Sequence, residues 1–491
     1  MARALVVVLF LVVAAAPAAA LDVVRVRTPN RVKLTARHVA RSVRAVVTMR
    51  NETSGTVSFP DAAALAAALG LSAAPSDGPI VCPALALEPA SSVRFPLTLR
   101  AGRRRSVGYR LGVTCGANPG AGGDWTLTAL GTSATIDVID RRASTAFQLP
   151  GRYLVGTTSM TLVDGSRPTM PNGTYPGAPD RTFPTLVWYP AAAEGTDVPV
   201  AADGAPFPLV IFGHGLGSPP NQSARYTAHL ASHGYVVVAP AFPLSKLGAP
   251  GGQTLADTPN EAGDVSFFID TFLAFSSTSG ERFAGAIDPE RIAATGHSGG
   301  GLLTLVATYD AIVRDARIKA AIAMSPPACW FQPGYFGNVA VPLLLLHGDN
   351  DLLVDFATHA EAAYERANVP KSLLRVRHGN HLGFADFGTL IDDVQGCGFL
   401  PPADDLATQT MAFVTNMGGA ANHVTLDGCE GATGYCQGDP SHLDGARQMQ
   451  IAKQTAAAFL DMLFRGDAAG ARYLYEELGT TSPDVAHDFV R

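Results

Sequence analysis

The stretch RIAATGHSGGGLL, from Arg291 to Leu303, decides the fold. Residues 291–295 are mostly apolar or small and predict a short buried strand, whereas Leu302 begins an apolar run with helical spacing. Between them, the segment Gly296-His297-Ser298-Gly299-Gly300 places a single serine among glycines. A tight turn from strand to helix forces one residue into a strained backbone conformation and leaves its neighbours little room for side chains. We therefore expect the hydroxyl of Ser298 to project from the carboxyl edge of a sheet.

Strands and helices alternate on both sides of this turn, from about residue 150 onward. The predicted apolar strands are Phe183–Tyr189, Pro208–Phe212, Tyr235–Ala239, Arg291–Thr295, Ile318–Met324, Val341–Leu346 and Leu373–Val376. The predicted helices are Tyr226–His233, Asp264–Phe275, Leu302–Val313, Ala357–Ala367 and Gly445–Phe464. Alternation of this kind is typical of a mostly parallel, doubly wound α/β sheet with helices on both faces.

Residues 21–148 have a different pattern. Short runs in which polar and apolar residues alternate, such as Val107–Val113, are separated by turn-rich segments. This pattern predicts an all-β, immunoglobulin-like sandwich domain. The chain has 491 residues, a length that favours two domains, so we assign residues 149–491 to a second, α/β domain.

Residues 1–20 have the composition of a secretory signal peptide, with Arg3, an apolar run over residues 5–13 and an Ala18-Ala19-Ala20 cleavage site. Since this apolar run and all later ones are too short to span a bilayer, the mature chain is expected to lack a transmembrane segment. We expect it to be secreted, into the extracellular space or the periplasm. The net charge of −6 is mild and gives no reason to expect nucleic acid or an anionic membrane as a partner.

The number of cysteines is even, and an exported protein meets an oxidising environment, so disulfides are expected. Cys82 is expected to pair with Cys115 because both lie in the N-terminal region. Among the last four cysteines, Cys429 and Cys436 are closest in sequence, and Cys397 competes for either. Zinc-type spacing is absent, so no metal site is predicted. The six cysteines are Cys82, Cys115, Cys329, Cys397, Cys429 and Cys436.

A serine at such a turn becomes a nucleophile when a histidine takes its proton and a carboxylate orients that histidine. Asp351 lies in the loop after the strand that ends at Leu346 and is the candidate carboxylate, with Asp349 as the alternative. His381 follows the next strand, past a Gly-Asn turn, and is the candidate base. His378, nearer the strand end, is its alternative.

Transfer of an acyl group also requires N–H donors for a developing oxyanion. The amide of Gly299, next to the serine, is one candidate donor, and the amide of Leu216 in the glycine-rich loop after Phe212 is the other. A substrate pocket is assigned to His214, Trp330 and Phe331. For Trp330 and Phe331, packing in the core is the alternative to lining an apolar acyl pocket.

Taken in order, these motifs resemble the α/β-hydrolase superfamily over residues 150–465. The resemblance rests on His214-Gly215-Leu216-Gly217, Gly296-His297-Ser298-Gly299-Gly300, Gly348-Asp349-Asn350-Asp351 and Asn380-His381-Leu382-Gly383-Phe384. Within the superfamily the chain is similar to the branch of platelet-activating-factor acetylhydrolases, dienelactone-hydrolase-like proteins and cutinase-like polyesterases. The resemblance implies hydrolysis of a carboxylic ester through an acyl-serine, without metal or organic cofactor. The implied substrate is a small-molecule, lipid or polymer ester, and the oligomeric state stays open.

Two features depart from that family pattern. Dienelactone hydrolases use cysteine where this chain has Ser298, so their substrate does not carry over. About 60 residues, 382–441, separate the histidine motif from the closing helix and contain three cysteines. This insertion is expected to form either a disulfide-bonded wall or lid over the site, or a surface decoration. Two other functions stay open, an amidase or peptidase on the same fold and a non-catalytic binding protein.

Overall fold

The chain forms two compact units, residues 1–145 and 146–491. The computed structural model describes residues 21–29, 31–34, 40–75, 84–114, 123–140, 147–337, 339–367, 370–386, 403–429 and 442–490. The expected signal peptide therefore lies outside the described residues. No helix in these ranges is long and apolar enough to cross a membrane.

The N-terminal unit is rich in β-strands. Two four-stranded sheets have the orders β1-β3-β8-β6 and β2-β10-β9-β5, and β4 pairs with β7. The short helix α1 (Ala62–Leu69) begins where Asp61 accepts a hydrogen bond from the amide of Ala64. The immunoglobulin type of this unit stays a prediction. The strands are β1 (Leu21–Arg27), β2 (Arg31–Leu34), β3 (Ala40–Asn51), β4 (Val57–Phe59), β5 (Ser72–Pro75), β6 (Ala84–Pro89), β7 (Leu97–Leu99), β8 (Arg104–Thr114), β9 (Gly123–Ala129) and β10 (Thr132–Asp140).

The second unit is built on a ten-stranded sheet with the order β13-β11-β12-β15-β14-β16-β17-β18-β19-β20. The six strands β14 to β19 run parallel. Strand β12 pairs antiparallel with β11 and β15, and β20 pairs antiparallel with β19, whereas β11 pairs parallel with the short strand β13. This confirms the α/β class and the mostly parallel sheet. Its strands are β11 (Leu154–Asp164), β12 (Arg181–Ala191), β13 (Gly195–Thr196), β14 (Phe207–Gly213), β15 (Val236–Pro240), β16 (Ile287–His297), β17 (Ile318–Met324), β18 (Leu343–Gly348), β19 (Lys371–Val376) and β20 (Val485–Val490).

Helices cover the two faces of this sheet. Successive residues of a strand point to opposite faces, so Leu209 and Ile211 of β14 pack in one core and Val210 and Phe212 in the other. Both faces of the central strands are thus buried, which explains their unbroken apolar runs. The α-helices are α2 (Ala224–Ser232), α3 (Thr258–Ser277), α4 (Gly299–Tyr309), α5 (Ala362–Arg366), α6 (Ala403–Asn416), α7 (Gly445–Arg465), α8 (Ala468–Arg472) and α9 (Leu478–Thr481).

Several elements differ from the sequence prediction. Three strands near the ends of the sheet and one helix were not predicted, because none of them carries the continuous apolar run of a central strand or a strong helical periodicity. They are β11, β13, β20 and α6. The helix predicted over residues 357–367 is a π-helical turn, Phe356–Glu361, followed by α5. Helix α4 begins at Gly299 rather than at Leu302, directly after the serine.

The structure determines one pairing that the sequence left open among the last four cysteines, and it excludes Cys429–Cys436, the pair closest in sequence. Cys429 is bonded to Cys329, which lies 100 residues earlier in the chain, and not to Cys436. Proximity in sequence is a poor guide to pairing, because folding brings the segment after β17 against the insertion. The predicted Cys82–Cys115 pair, together with Cys397 and Cys436, lies outside the described residues.

Candidate active site

Ser298 occupies the turn between β16 and α4 and has a backbone φ of +55° and ψ of −118°. Few non-glycine residues adopt a positive φ, and such residues cluster at functional sites. The turn is close-packed, since a Cβ added to Gly296 would lie 2.3 Å from the carbonyl oxygen of Gly300. A Cβ on Gly300 would lie 2.0 Å from the carbonyl oxygen of Gly213. The glycines quoted above are therefore required by the packing of this turn.

Asp351 and His381 meet at the same edge of the sheet. Their loops follow the neighbouring parallel strands β18 and β19, and Nδ1 of His381 lies 2.8 Å from Oδ2 of Asp351. Both side chains are buried. The other carboxylate oxygen, Oδ1, accepts hydrogen bonds from the amides of Leu353 and Val354 at 3.0 and 2.8 Å. This geometry fixes the imidazole ring and the carboxylate relative to each other.

The alternatives to these two residues have other partners. Asp349 forms an ion pair with Arg375, with Nε 2.8 Å from Oδ2, and accepts a hydrogen bond from the amide of His378. The side chain of His378 is exposed, and its backbone has a positive φ of 55°. The structure therefore brings together Asp351 with His381, and not Asp349 with His378.

The electrostatics around Asp351 favour its ionised form. Burial alone would favour the neutral carboxyl, but the charge of His381 and hydrogen bonds from His347 and His381 hold the pKa of Asp351 well below its usual range. Nε2 of His347 lies 3.2 Å from Oδ2 of Asp351 and 2.7 Å from the carbonyl oxygen of Val354. Asp351 thus carries a negative charge next to His381 at neutral pH.

The two candidate oxyanion donors are close together. The amide nitrogen of Leu216 lies 3.1 Å from the position that a Cβ on Gly299 would occupy. A Cβ on Gly215, in the same loop as Leu216, would lie 3.4 Å from Cβ of Ser298. The glycine-rich loop after β14 therefore lies against the serine turn, at the N-terminus of α4. Amides at a helix N-terminus favour negative charge.

A buried hydrogen-bond network links three loops of this site. The amide of Gly215 donates to Oε1 of Gln222 at 2.7 Å, and Nε2 of Gln222 lies 2.7 Å from Nδ1 of His297. Nε2 of His297 lies 2.8 Å from the carbonyl oxygen of His381. Because the amide nitrogen of Gln222 only donates, Nδ1 of His297 accepts and its Nε2–H donates to His381. The network connects the loop of Leu216, the serine turn and the loop of His381.

His297 is suited to this structural task because it stays neutral. Burial, with the charge of His381 as the second cause, lowers the pKa of His297 to about 3. The sequence does not reveal Gln222 as the partner of His297. No pattern in the sequence distinguishes this glutamine from any other polar residue at the start of a helix.

His214 does not face an open pocket. Its ring is buried, Nε2 accepts a hydrogen bond from the amide of Phe242 at 3.1 Å, and Nδ1 lies 2.9 Å from the carbonyl oxygen of Gly215. Burial lowers the pKa of His214 to about 4, so the ring is neutral. Both ring nitrogens are thus engaged by the main chain, and the geometry gives His214 a part in fixing the glycine-rich loop instead of contacting substrate.

Trp330 and Phe331 are also largely enclosed by protein. The Trp330 ring packs 4.9 Å from that of Phe413, and the Phe331 ring stacks 4.0 Å from that of Tyr335. Phe331 is fully buried, whereas Trp330 keeps 6% of its surface exposed. Phe331 therefore packs in the core. For Trp330, a contact with the acyl group of the substrate stays a proposal.

The described part of the insertion, residues 403–429, packs into the core. Phe413 of α6 and Val424 belong to the larger of the two cores of the α/β unit. Oε1 of Gln409, also in α6, accepts a hydrogen bond from the amide of Leu255 at 3.3 Å. The Leu255 side chain approaches within 3.6 Å of the position that a Cβ on Gly299 would occupy. This part of the insertion therefore supports the surroundings of the serine turn and is not a loose surface decoration.

A parallel sheet that carries a strained serine turn, with a histidine and an aspartate on the loops of later strands, defines the α/β-hydrolase class. Residues 198–393 match the family model described as PET hydrolase-like. A solved structure, a ferulic acid esterase from Streptomyces cinnamoneus, is 21% identical in sequence with a TM-score of 0.48. The structural alignment covers 69% of this chain and 97% of the esterase chain.

Two curated cutinases are more similar in sequence. Cutinase 1 of Thermobifida cellulosilytica is 31% identical over 156 residues, which is 31% of this chain and 52% of that protein. A cutinase of Thermobifida fusca (strain YX) is 31% identical over 156 residues, or 31% of this chain and 45% of that protein. The chain thus spans about half the length of the curated relatives it matches. The family model and the two cutinases confirm the resemblance to the cutinase-like branch of α/β-hydrolase serine esterases. The likeness to platelet-activating-factor acetylhydrolases and dienelactone-hydrolase-like proteins stays an expectation.

Proposed function

We propose that this protein hydrolyses carboxylic esters through an acyl-serine intermediate. The observation that carries the proposal is the strained conformation of Ser298, with the His381–Asp351 pair on the loops of β18 and β19 and the amides of Gly299 and Leu216 beside the turn. The similarity to cutinases supports the same activity.

In the proposed mechanism, Oγ of Ser298 attacks the ester carbonyl carbon while Nε2 of His381 takes the hydroxyl proton. The amides of Gly299 and Leu216 hold the oxyanion of the tetrahedral intermediate. His381 then passes its proton to the leaving alcohol, and the C–O bond breaks to leave an acyl-serine. A water molecule, deprotonated by His381, attacks the acyl carbon, and the acid is released with return of the proton to Ser298.

The other polar groups act by positioning. Asp351 holds the Nδ1–H tautomer of His381, so that Nε2 is free to accept the serine proton, and stabilises the charged imidazolium. Gln222 and His297 hold the loop of Leu216 and the loop of His381 in fixed positions relative to each other. The mechanism requires no metal ion or organic cofactor.

For the substrate, we propose an ester with a short acyl chain or a polyester, in line with the cutinases. Lipid esters are the alternative within the same chemistry. Trp330, which keeps part of its surface exposed beside the insertion, is the proposed acyl contact. We also propose that the protein is exported after removal of residues 1–20, since the Cys329–Cys429 disulfide is typical of an oxidising compartment.

The proposal is tested by hydrolysis of p-nitrophenyl esters from C2 to C16, with Ser298→Ala as the blank. We expect activity on the short esters that falls to the blank level in the variant. A wild type that is inert on every ester, or a variant that keeps the rate, contradicts an ester hydrolase. Matched p-nitroanilides separate the amidase alternative, which predicts comparable rates on the amides. Hydrolysis at Ser298 would exclude a purely binding role.

A further inference from the structure

Charge is distributed very unevenly between the two units. Residues 21–145 contain 16 arginines and lysines and 8 aspartates and glutamates, a net charge of +8. Residues 146–491 contain 19 basic and 34 acidic residues, a net charge of −15, and Arg3 is the remaining basic residue. The mild net charge of −6 for the whole chain conceals this difference.

Much of the positive charge in the N-terminal unit lies on one side of the sheet β1-β3-β8-β6. Buried and exposed residues alternate along these strands, and the outward positions include six arginines, which we call the arginine face. Five of them are exposed and Arg50 is half-buried. The arginine face consists of Arg25 and Arg27 in β1, Arg44 and Arg50 in β3, and Arg104 and Arg110 in β8.

The strand register places like charges opposite each other. Arg44 is directly opposite Arg110, and Arg50 is directly opposite Arg104. Residues in these positions have Cβ atoms about 5 Å apart, and like charges there destabilise a strand pair. A fold under selection for stability alone has no reason to retain two such pairs on one face.

Acidic side chains compensate only part of this charge. Among the described residues, the ion pair of this face joins Nε of Arg50 to Glu52 at 3.1 Å, and that pair is partly exposed and so weak. Asp22 is opposite Arg50 in the register, and Glu88 is opposite Arg110. Six arginines therefore face three carboxylates.

The centre of the arginine face is flat and polar. Thr48 and Ser106 are hydrogen-bonded to each other through their hydroxyls at 2.9 Å. Gly108 has no side chain there, and the guanidinium of Arg44 lies over it, 3.5 Å from the position that a Cβ would take. Next to this centre is a shallow depression of about 630 Å³, lined by Arg27, Thr28, Pro29, Val43, Arg44 and Val46.

We propose that the arginine face is a docking surface for an anionic polysaccharide that carries carboxylate groups. The planar guanidinium fork binds a carboxylate through two parallel hydrogen bonds, which a lysine does not. The hydroxyls of Thr48 and Ser106 provide partners for sugar hydroxyls between the arginines. The flat surface fits an extended polymer better than a compact ligand.

The composition of the face argues against two other polyanions. The arginine face and its polar centre contain no aromatic side chain among the described outward residues, whereas single-stranded nucleic acids are bound by stacking on aromatic rings. Faces that bind anionic membranes insert Trp, Phe or Leu side chains, whereas the apolar side chains that the described part of this face exposes are small valines such as Val24 and Val46. The proposal concerns binding by the N-terminal unit and is independent of the hydrolytic function proposed for Ser298.

The test compares binding of the full-length protein to polygalacturonate, with pullulan as the neutral polymer. We expect binding in about 50 mM salt that weakens steeply in about 200 mM salt, because contacts between arginines and the carboxylates of a polyanion release counterions. The affinity of the triple variant Arg27→Gln/Arg44→Gln/Arg110→Gln is expected to fall by at least about tenfold. The matched control Arg225→Gln/Arg314→Gln/Arg377→Gln removes the same charge from the other unit and is expected to bind as the wild type does.

A second readout separates loss of the docking surface from loss of the fold. Removal of opposed like charges is expected to leave the melting temperature of the triple variant unchanged or higher, with unchanged hydrolysis of p-nitrophenyl acetate. If its melting temperature falls, the single variants Arg44→Gln and Arg110→Gln replace it in the comparison. Wild-type affinity in the variants would overturn the proposal, as would binding to duplex DNA or phosphatidylglycerol vesicles as tight as binding to polygalacturonate.

Discussion

Ser298 shows how one residue links backbone strain to chemistry. A non-glycine residue with φ of +55° costs about 1–3 kcal/mol, and it persists only where the surrounding packing determines it. Here the close contact of Gly296, Gly300 and Gly213 supplies that packing. This strained conformation places Ser298 at the end of β16, directly before the first amides of α4.

Asp351 and Asp349 lie two residues apart and allow a matched comparison. Asp351→Asn is expected to lower kcat by about 10³–10⁴-fold, because an amide no longer holds the Nδ1–H tautomer of His381. Asp349→Asn is expected to leave kcat within about twofold, since Asp349 pairs with the exposed Arg375. Steady-state kinetics on p-nitrophenyl butyrate measure both. Equal losses in the two variants would contradict the assignment of Asp351.

Gln222 is expected to act through geometry and not through contact with substrate. Gln222→Ala removes the bridge between Gly215 and His297, and small displacements of catalytic groups cost up to about 100-fold in rate. We expect kcat to fall by about 10- to 100-fold with little change in KM. Gln148→Ala, which alters a half-buried glutamine outside this network, is the control. A rise in KM at constant kcat would show that Gln222 binds substrate instead.

Among the elements, the first turns of the helix α3 bring together three buried carboxylates, Asp257 at the N-cap and Glu261 and Asp264 within the helix. The fully buried Arg181 pairs with Asp257 at 2.8 Å and with Asp264 at 2.6 Å. Among the residues that the structure describes, none forms an ion pair with Glu261. Burial, together with the charges of Asp257 and Asp264, raises its pKa to about 8, although Ser245 and Arg181 act in the opposite direction.

This raised pKa makes stability depend on pH. Between the unfolded pKa of about 4.3 and the folded value near 8, the folded protein binds the proton of Glu261 more strongly, so the free energy of unfolding falls as pH rises. Glu261→Gln is expected to match the wild type at pH 4 and to be more stable at pH 8.5, by about 1.4 kcal/mol for each unit of the pKa shift. Urea denaturation at several pH values measures this, with Glu281→Gln, at an exposed glutamate, as control. Parallel pH profiles of Glu261→Gln and the wild type would show that Glu261 does not titrate in this interval.

The elements that the sequence predicts well are the ones whose burial is complete. Strand β17 was predicted with its observed bounds, Ile318–Met324, because both of its faces are apolar. The strands β11 and β20, near the two ends of the sheet, were missed because they are only partly buried and their apolar residues alternate irregularly. The same reasoning applies to the site. Ser298, Asp351 and His381 occupy strand ends that motifs reveal, whereas Gln222 becomes adjacent to His297 only through tertiary packing.

At the scale of the whole molecule, long-range contacts are what the sequence conceals. The Cys329–Cys429 bond closes a loop of 100 residues, and its partner choice depends on the folded position of the insertion. The opposed arginine pairs of β3 and β8 also require the register of the sheet, which is not visible in the sequence. The net charge of the chain, −6, is the sum of a positive N-terminal unit and a negative second unit. The α/β class and the candidate site residues could therefore be named from the sequence, but the disulfide pairing and the surface charge of each unit could not.

Ser298 is the proposed nucleophile of this fold. The most direct measurement is to treat the wild type with a fluorophosphonate, digest the protein and locate the adduct by mass spectrometry. We predict a single adduct on the peptide that contains Ser298, abolished in Ser298→Ala and strongly slowed in His381→Ala, together with loss of ester hydrolysis in step with labelling. An adduct on another residue, or ester hydrolysis that continues after Ser298 is fully labelled, would contradict the account.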